Sequence, residues 1–401
     1  MSSIESERLK AINASLKPKR RYPTEFRRSW FWRNDVLVLD FATRTGVRLA
    51  AEIHDRKEDS TLELVARDSE SQYGLRRAIS RLQLPRPVNI NEKPIRLATW
   101  DRHVSNEVII GDTLINIQRI LTSLDSDRNQ IQPNSVPGYW WDMRTNFGDL
   151  IGPKVMSHLT RRAVHNTYGL PNSGSAIVSV GSIIDVVHRS NMHIWGTGLM
   201  NVPTRSRIRE LSGLDWTISA VRGHRTRTTL QDQLGWCIPN VVGDPGLLFP
   251  RVFSDSTTPT QDAIAVIPHY AHKTVLNRDL VESQECLFVD VERSPEEVAS
   301  DIQRSRLVIS TSLHGLILAQ AYGVPWLWLK VVDRHLAGQD FKFEDFFSTV
   351  DRESVSVLAC STVDIQSINF RTIAKNSRLP TPRYSLNALE QAFPYDVARP
   401  V

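Results

Sequence analysis

The sequence predicts an α/β protein in which two doubly wound halves of parallel sheet follow a smaller β-rich or α+β domain. Three observations lead there. Beyond residue 139, short apolar runs end repeatedly in small or polar residues and give way to helical patterns, the order expected of a parallel sheet with crossover helices. One such unit, residues 306–330, can be read residue by residue. Before residue 135 the apolar runs are instead joined by polar turns, as in a meander of short antiparallel strands.

In the 306–330 unit, Leu307, Val308 and Ile309 have the apolar, β-branched character of a buried parallel strand. The run stops at Ser310, Thr311 and Ser312, followed by Leu313, His314 and Gly315. Leu316, Ala319 and Tyr322 then recur at helical spacing until Gly323 supplies a C-cap and Pro325 ends the helix. Hydroxyls, backbone N–H groups and an imidazole therefore gather where a strand's carboxyl end meets a helix start. Open α/β sheets bind anions there, because the helix start presents unpaired donors and the positive end of its dipole. A plain capping role for the serines and a packing role for His314 fit the spacing equally well.

The chain has 401 residues, enough for two or three domains. Its 41% hydrophobic and 23% charged content is that of an ordinary globular protein. Cys237, Cys286 and Cys360 are too few and too scattered for a disulfide framework or a cysteine zinc site, which fits a reducing, cytoplasmic compartment. The start of the chain lacks a signal-peptide core, and no apolar run approaches the roughly 18 residues of a membrane span. A net charge of +5 gives no reason to expect nucleic acid as a partner.

Taken in order, residues 1–24 read as a disordered basic leader. The cations at 17–28, which run across the end of this leader, adjoin Trp30, Phe31 and Trp32, a combination suited to peripheral contact with an anionic membrane face or simply to entry into the first core. Residues 25–135 form the accessory domain, with strands at 36–41, 47–53 and 61–66. Asp112 starts a helix bearing Leu114, Ile117, Ile120, Leu121 and Leu124. The first half, 136–258, carries Asn146, Phe147, Gly148 and Asp149 ahead of a helix. Its strands end in Gly181 and Ser182, in Thr197 and Gly198, and in Arg222 and Gly223, and Gly243, Asp244 and Pro245 follow. The second half, 259–380, places His269 after an apolar strand and opens a helix with the capping box at Ser294, Pro295, Glu296 and Glu297. Residues 381–401 are read as a C-terminal tail. No His, Asp or Glu spacing suggests a metal; His188 and His193 merely flank a loop.

The ordered set Asn-Phe-Gly-Asp, Gly-Ser-Ile, Trp-Gly-Thr-Gly, Val-Arg-Gly, Gly-Asp-Pro, Ile-Pro-His-Tyr and Ser-Leu-His-Gly resembles the polysaccharide pyruvyltransferase family over about half the chain, residues 139–350. The resemblance implies two Rossmann-like domains in a glycosyltransferase-B-like arrangement. It also implies transfer of the pyruvyl group of phosphoenolpyruvate onto two hydroxyls of a glycan or lipid-linked saccharide as a cyclic ketal. Phosphate would leave, no further cofactor would be needed, and the reaction would serve cell-surface polysaccharide synthesis on the cytoplasmic side, peripheral at the inner membrane face. A donor with a carboxylate and a phosphate needs cations and N–H groups, and the residues expected to supply its site are Arg222, Gly223, Ser310, Thr311, Ser312, His314, Gly315 and Lys342. His314, Asp149 and His269 are the expected proton-transfer groups. Asn146, Asp149, Gly181, Ser182, Thr197 and Gly198 are expected around the acceptor.

One position departs from the family pattern. Many members have an arginine directly before the Leu-His, and this chain has Ser312. Arg225, Lys273 and Arg205 are candidates to supply the missing charge. A nucleotide-sugar glycosyltransferase of the same architecture, or a non-catalytic carbohydrate-binding protein, remain rival readings, because a fold does not fix donor chemistry.

Overall fold

The computed structural model describes residues 3–16, 31–33, 36–43, 46–56, 58–82, 88–129, 134–171, 173–255 and 263–398. The chain divides into two compact units, Met1–Pro133 with Thr167–Gly174, and Asn134–Asn166 with Ser175–Val401.

The first unit contains α1 (Ser3–Leu16), β1 (Phe31–Arg33), β2 (Val36–Ala42), β3 (Arg48–Asp55), β4 (Asp59–Ala66), α2 (Ser69–Ser80), β5 (Ile95–Asp101) and α3 (Asn106–Asn129). Its strands pair in sequence order and antiparallel throughout. Strand alternation puts Leu37, Leu39, Leu49, Ala51, Ile53, Leu62 and Leu64 into one core with Leu75 and Ile79 of α2 and Ile117, Ile120 and Leu124 of α3. Residues 3–16 are helical, where the sequence reading had a disordered leader. Leu9 and Ile12, three positions apart on one face, are buried in the same core, an apolar stripe too narrow to stand out in a polar stretch. Residues 17–30, with the whole basic cluster, lie outside the described residues.

In the second unit the chain continues through β6 (Val136–Tyr139), α4 (Phe147–Thr160), β7 (Val164–Asn166), β8 (Ala176–Val178), β9 (Met192–Trp195), α5 (Arg205–Leu211), β10 (Trp216–Ala220) and α6 (His224–Leu234). It goes on through β11 (Ile264–Ile267), α7 (Arg278–Glu282), β12 (Leu287–Phe288), α8 (Pro295–Arg304), β13 (Leu307–Ser310), α9 (Leu313–Ala321), β14 (Trp326–Val331), α10 (Gln339–Phe347) and β15 (Val357–Cys360), and closes with α11 (Thr362–Ile365), α12 (Phe370–Ala374) and α13 (Leu386–Gln391).

These strands form two parallel five-stranded sheets, ordered β7-β6-β8-β9-β10 and β12-β11-β13-β14-β15. Numbered within its own sheet, each has the order 2-1-3-4-5, a doubly wound arrangement compatible with Rossmann-like domains. The winding reverses between β6 and β8 in one sheet and between β11 and β13 in the other.

Local chemistry explains the elements nearest these reversals. Every residue of β11 and β13 is buried, as continuous apolar runs require. On α8 the capping box forms as its sequence predicts, Ser294 Oγ accepting from the Glu297 N–H while the Glu297 carboxylate accepts from the Ser294 N–H. Helix α9 is apolar on all sides and buried from Leu313 to Gln320 apart from half-buried His314. One core runs through Phe147, Ile151, Trp195, Phe249, Ile267, Ile317, Trp328 and Phe343. The segment after residue 380 joins it, with Trp195 Nε1 donating to the Leu389 carbonyl at 2.8 Å and packing edge-on to Phe393. Among the described residues no helix is long and apolar enough to cross a membrane. All three cysteines are free.

Candidate active site

Both reversal points open onto one cavity of about 320 Å³. The turn from β6 into α4 brings Asn146 and Asp149, and the chain after β8 brings Gly181 and Ser182. The chain after β11 brings His269 and Tyr270, the start of α9 brings Ser312 and His314, and α10 adds Lys342. A parallel sheet's winding leaves such a crevice beyond the strand ends, which is why residues scattered over nearly two hundred positions meet here.

Asn146 caps α4 and its Nδ2 also donates to Asp149 Oδ2 at 2.8 Å. Burial raises the Asp149 carboxyl to about 7, outweighing the Asn146 hydrogen bond and the Lys342 charge, which both act to lower it. The Lys342 side chain makes no hydrogen bond or ion pair among the described residues, and its ammonium lies over the Phe343 ring, 5.9 Å from the ring centre. Burial and the nearby Arg222 charge lower its ammonium to about 8, with Asp149 opposing.

The His314 imidazole lies against Gly148, where a Cβ would come within 2.0 Å of its Nδ1. Its Nε2 is buried without a hydrogen-bond partner among the described residues. Burial, then the charges of Arg222 and Lys342, push His314 down to about 3, so the ring is neutral near pH 7. His269 is lowered to about 3 by burial first and then by Lys342 and its histidine neighbours. Its Nδ1 accepts from the Ala271 N–H at 3.2 Å, which puts the proton of the neutral ring on Nε2.

The remaining expected site residues stand behind the wall. Ser310 Oγ stands 2.9 Å from both the Ile267 and the Ser312 carbonyl oxygens, to one of which its single O–H donates, and it accepts from the Ser312 N–H, while Thr311 Oγ1 accepts from the His269 N–H at 2.8 Å. Gly315 leaves room for Ser310, since a Cβ there would be 2.5 Å from its Oγ. Thr197 Oγ1 donates to the Gly181 carbonyl at 2.8 Å. Asp244 is fully buried and caps a short 3-10 turn through the Gly246 N–H.

Arg222 differs most from its sequence reading as a cleft-facing anion fork. It is fully buried and is not on the cavity wall. Nε donates to Asp345 Oδ2 at 2.9 Å, Nη2 to the Leu199 carbonyl at 2.8 Å, and Nη1 to Ser182 Oγ. The reason is its acidic partner on α10, more than a hundred residues away, which local pattern does not reveal. Gly198 and Gly223 serve this packing: a Cβ on the first would lie 2.5 Å from the guanidinium carbon, and on the second 1.9 Å from the Asp345 carbonyl oxygen.

None of the three proposed substitutes for the arginine absent at Ser312 reaches the cavity. Lys273 is held by Asp290 and Glu292, Arg225 lies 3.9 Å from Glu344 on the surface, and Arg205 is exposed at the start of α5. Lys342 is the cation on the wall. Sequence reasoning missed Trp141, Met200 and His335, which also line the cavity. Trp141 stands beside a recognised motif and was within reach; Met200 and His335 sit in loops without periodicity.

Comparison with known proteins adds two matches. The family model Polysaccharide pyruvyl transferase matches residues 73–333, more than half of the chain. Uncharacterized protein L143 of Acanthamoeba polyphaga mimivirus is 28% identical over 133 residues, covering 32% of this chain and 46% of that protein. The chain thus aligns with less than half the length of this relative. No solved structure matches. The family model ends before Lys342 and Asp345, but it spans the Asn146–Asp149 turn, both winding reversals and the Ser312–His314 turn. The chain belongs to the polysaccharide pyruvyl transferase family.

Proposed function

We propose that the protein transfers the pyruvyl group of phosphoenolpyruvate to two hydroxyls of a glycan sugar, as a cyclic ketal, during synthesis of a cell-surface polysaccharide. The observation that carries this reading is the convergence of Lys342, Asp149, His269, His314 and the α9 start on one small cavity in a member of this family. Its volume suits a compact three-carbon donor. Lys342 and the first N–H groups of α9 hold the donor's anionic groups, in place of the contact expected of the arginine that this chain lacks at Ser312.

In the first step a proton passes to the donor's methylene carbon while a sugar hydroxyl adds to the neighbouring carbon and gives up its own proton. In the second, the bond from that carbon to the phosphate oxygen breaks. The second hydroxyl takes its place, and its proton leaves with the phosphate. Asp149, protonated up to about pH 7, suits the donating role. His314, a neutral imidazole whose Nε2 has no hydrogen-bond partner among the described residues, suits the accepting one. His269, with its Nδ1 engaged by the Ala271 N–H and its proton on Nε2, is placed to donate a hydrogen bond to the substrates. The acceptor, a glycan or lipid-linked saccharide, enters along Asn146, Gly181 and Ser182, between halves placed as in glycosyltransferase-B enzymes.

The test is a donor screen. Phosphoenolpyruvate should raise the melting temperature of the protein and release phosphate when an acceptor glycan is present. Stabilisation by UDP-sugars with no response to phosphoenolpyruvate would transfer the cavity to the glycosyltransferase reading.

A further inference from the structure

We propose that Arg222 touches no substrate and is instead a positioning residue: with Asp345 it forms the buried fastening that sets where the Lys342 ammonium stands in the cavity. The inference rests on the reading of that cavity as the donor site.

Three observations support it. First, each nitrogen of the Arg222 guanidinium is already committed, to Asp345, the Leu199 carbonyl and Ser182 Oγ, and the ion pair is wholly buried on both sides. Second, Asp345 and Lys342 lie three residues apart on α10, on one helical face and about one turn apart. Holding the Asp345 carboxylate therefore fixes the rotation of α10 and the direction of Lys342. Third, the fastening joins the two parallel halves. Asp345 also accepts from the Thr226 N–H and Oγ1, both at 2.7 Å, at the start of α6. One turn further along, Ser348 Oγ accepts from the His224 N–H at 2.9 Å. Arg222 and α6 belong to the half built on β6–β10, whereas α10 belongs to the half built on β11–β15.

Charge reinforces geometry. Arg222 and Asp149 act on the Lys342 ammonium in opposite senses. His269, Tyr270, His272, His314 and His335 are the other titratable groups around it from neighbouring elements, and Asp340, Glu344 and Asp345 share its helix.

A double-mutant cycle separates direct contact from positioning. Calorimetry with phosphoenolpyruvate should show Arg222→Lys weakening binding roughly tenfold in the otherwise native protein, because the charge remains but the planar fork is lost. In a Lys342→Met background the same change should cost about twofold or less, since residues acting through one another are not additive. A tenfold loss that persists without Lys342 means that Arg222 meets the donor itself, and overturns the proposal.

A second readout needs no donor. Reductive methylation with ¹³C-formaldehyde gives lysine resonances, that of Lys342 being assigned by its loss in Lys342→Arg. In Arg222→Met/Asp345→Leu, which replaces the buried pair with apolar side chains so that neither charge is left unpaired, the Lys342 resonance should titrate at higher pH than in the native protein. An unmoved titration in that folded variant also overturns the proposal. If the native protein does not bind phosphoenolpyruvate at all, the functional reading fails, and an unmoved titration would still overturn the positioning claim by itself.

Discussion

Lys342 and Asp149 sense each other's charge in the cavity, and burial moves them in opposite directions, the ammonium down to about 8 and the carboxyl up to about 7. Both shifts disfavour the charged form, as desolvation must. The Lys342 cation is lost as pH rises through about 8, so phosphoenolpyruvate binding should weaken between pH 7 and pH 9.5. Lys342→Arg keeps its charge throughout that range and should flatten the dependence, whatever its affinity at pH 7. Calorimetry at the two pH values checks this, and equal weakening in both proteins would remove Lys342 from the donor site. Asp149→Asn should leave donor affinity nearly intact and lower turnover roughly 10²–10⁴-fold, the usual range for a lost general acid. An active Asp149→Asn protein would send the proton-donor role elsewhere.

At the scale of elements, the start of α4 meets the start of α9 at Gly148 and His314. The glycine is helical with no unusual backbone angle, so alanine suits its conformation and improves helix propensity slightly. Its added Cβ, however, would fall 2.0 Å from His314 Nδ1. Gly148→Ala should therefore keep the melting temperature within a few degrees while displacing the imidazole, and turnover should fall about a hundredfold for a shift of about an ångström. Thermal melts beside steady-state rates would show this separation. A fully active Gly148→Ala protein excludes His314 from the chemistry, and a protein that loses its fold returns Gly148 to a packing role.

For the whole molecule, four titratable groups, one buried and three half-buried, pull the pH dependence of stability in opposite directions. Asp149 and Asp244 have folded-state values raised to about 7, so between about pH 4 and 7 the native state holds more protons than the unfolded chain, and these two groups make stability fall as pH rises. His269 and His314 are lowered to about 3, so between about pH 3 and 6.5 the unfolded chain holds more protons, and they make stability rise with pH. The two pairs oppose each other over most of the acid range. Asp244→Asn removes a buried charge but keeps an acceptor for the Gly246 N–H. Its melting temperature, relative to native, should therefore be higher at pH 8 than at pH 5. A difference independent of pH would mean that Asp244 is not protonated on folding.

The sequence by itself determined the elements whose information is local. Apolar runs marked β11 and β13, Ser294 and Glu297 marked the start of α8, and the small-residue strand endings marked the turns that meet at the cavity. Asn146, Asp149, Gly181, Ser182, His269, Ser312, His314 and Lys342 were all legible from motif and resemblance, and all line one wall. Tertiary structure alone decided which charged groups remain available there. Arg222 and Lys342 are both basic residues in recognised motifs. One is consumed by Asp345, 123 positions away, and the other, over the Phe343 ring, makes no ion pair among the described residues. Likewise, only packing shows that Leu9 and Ile12 order the start of the chain, or that Gly148 makes room for His314. Periodicity and capping act over a few residues, whereas the fate of a buried charge depends on which distant element brings its counter-charge, and that is fixed only when the two halves pack.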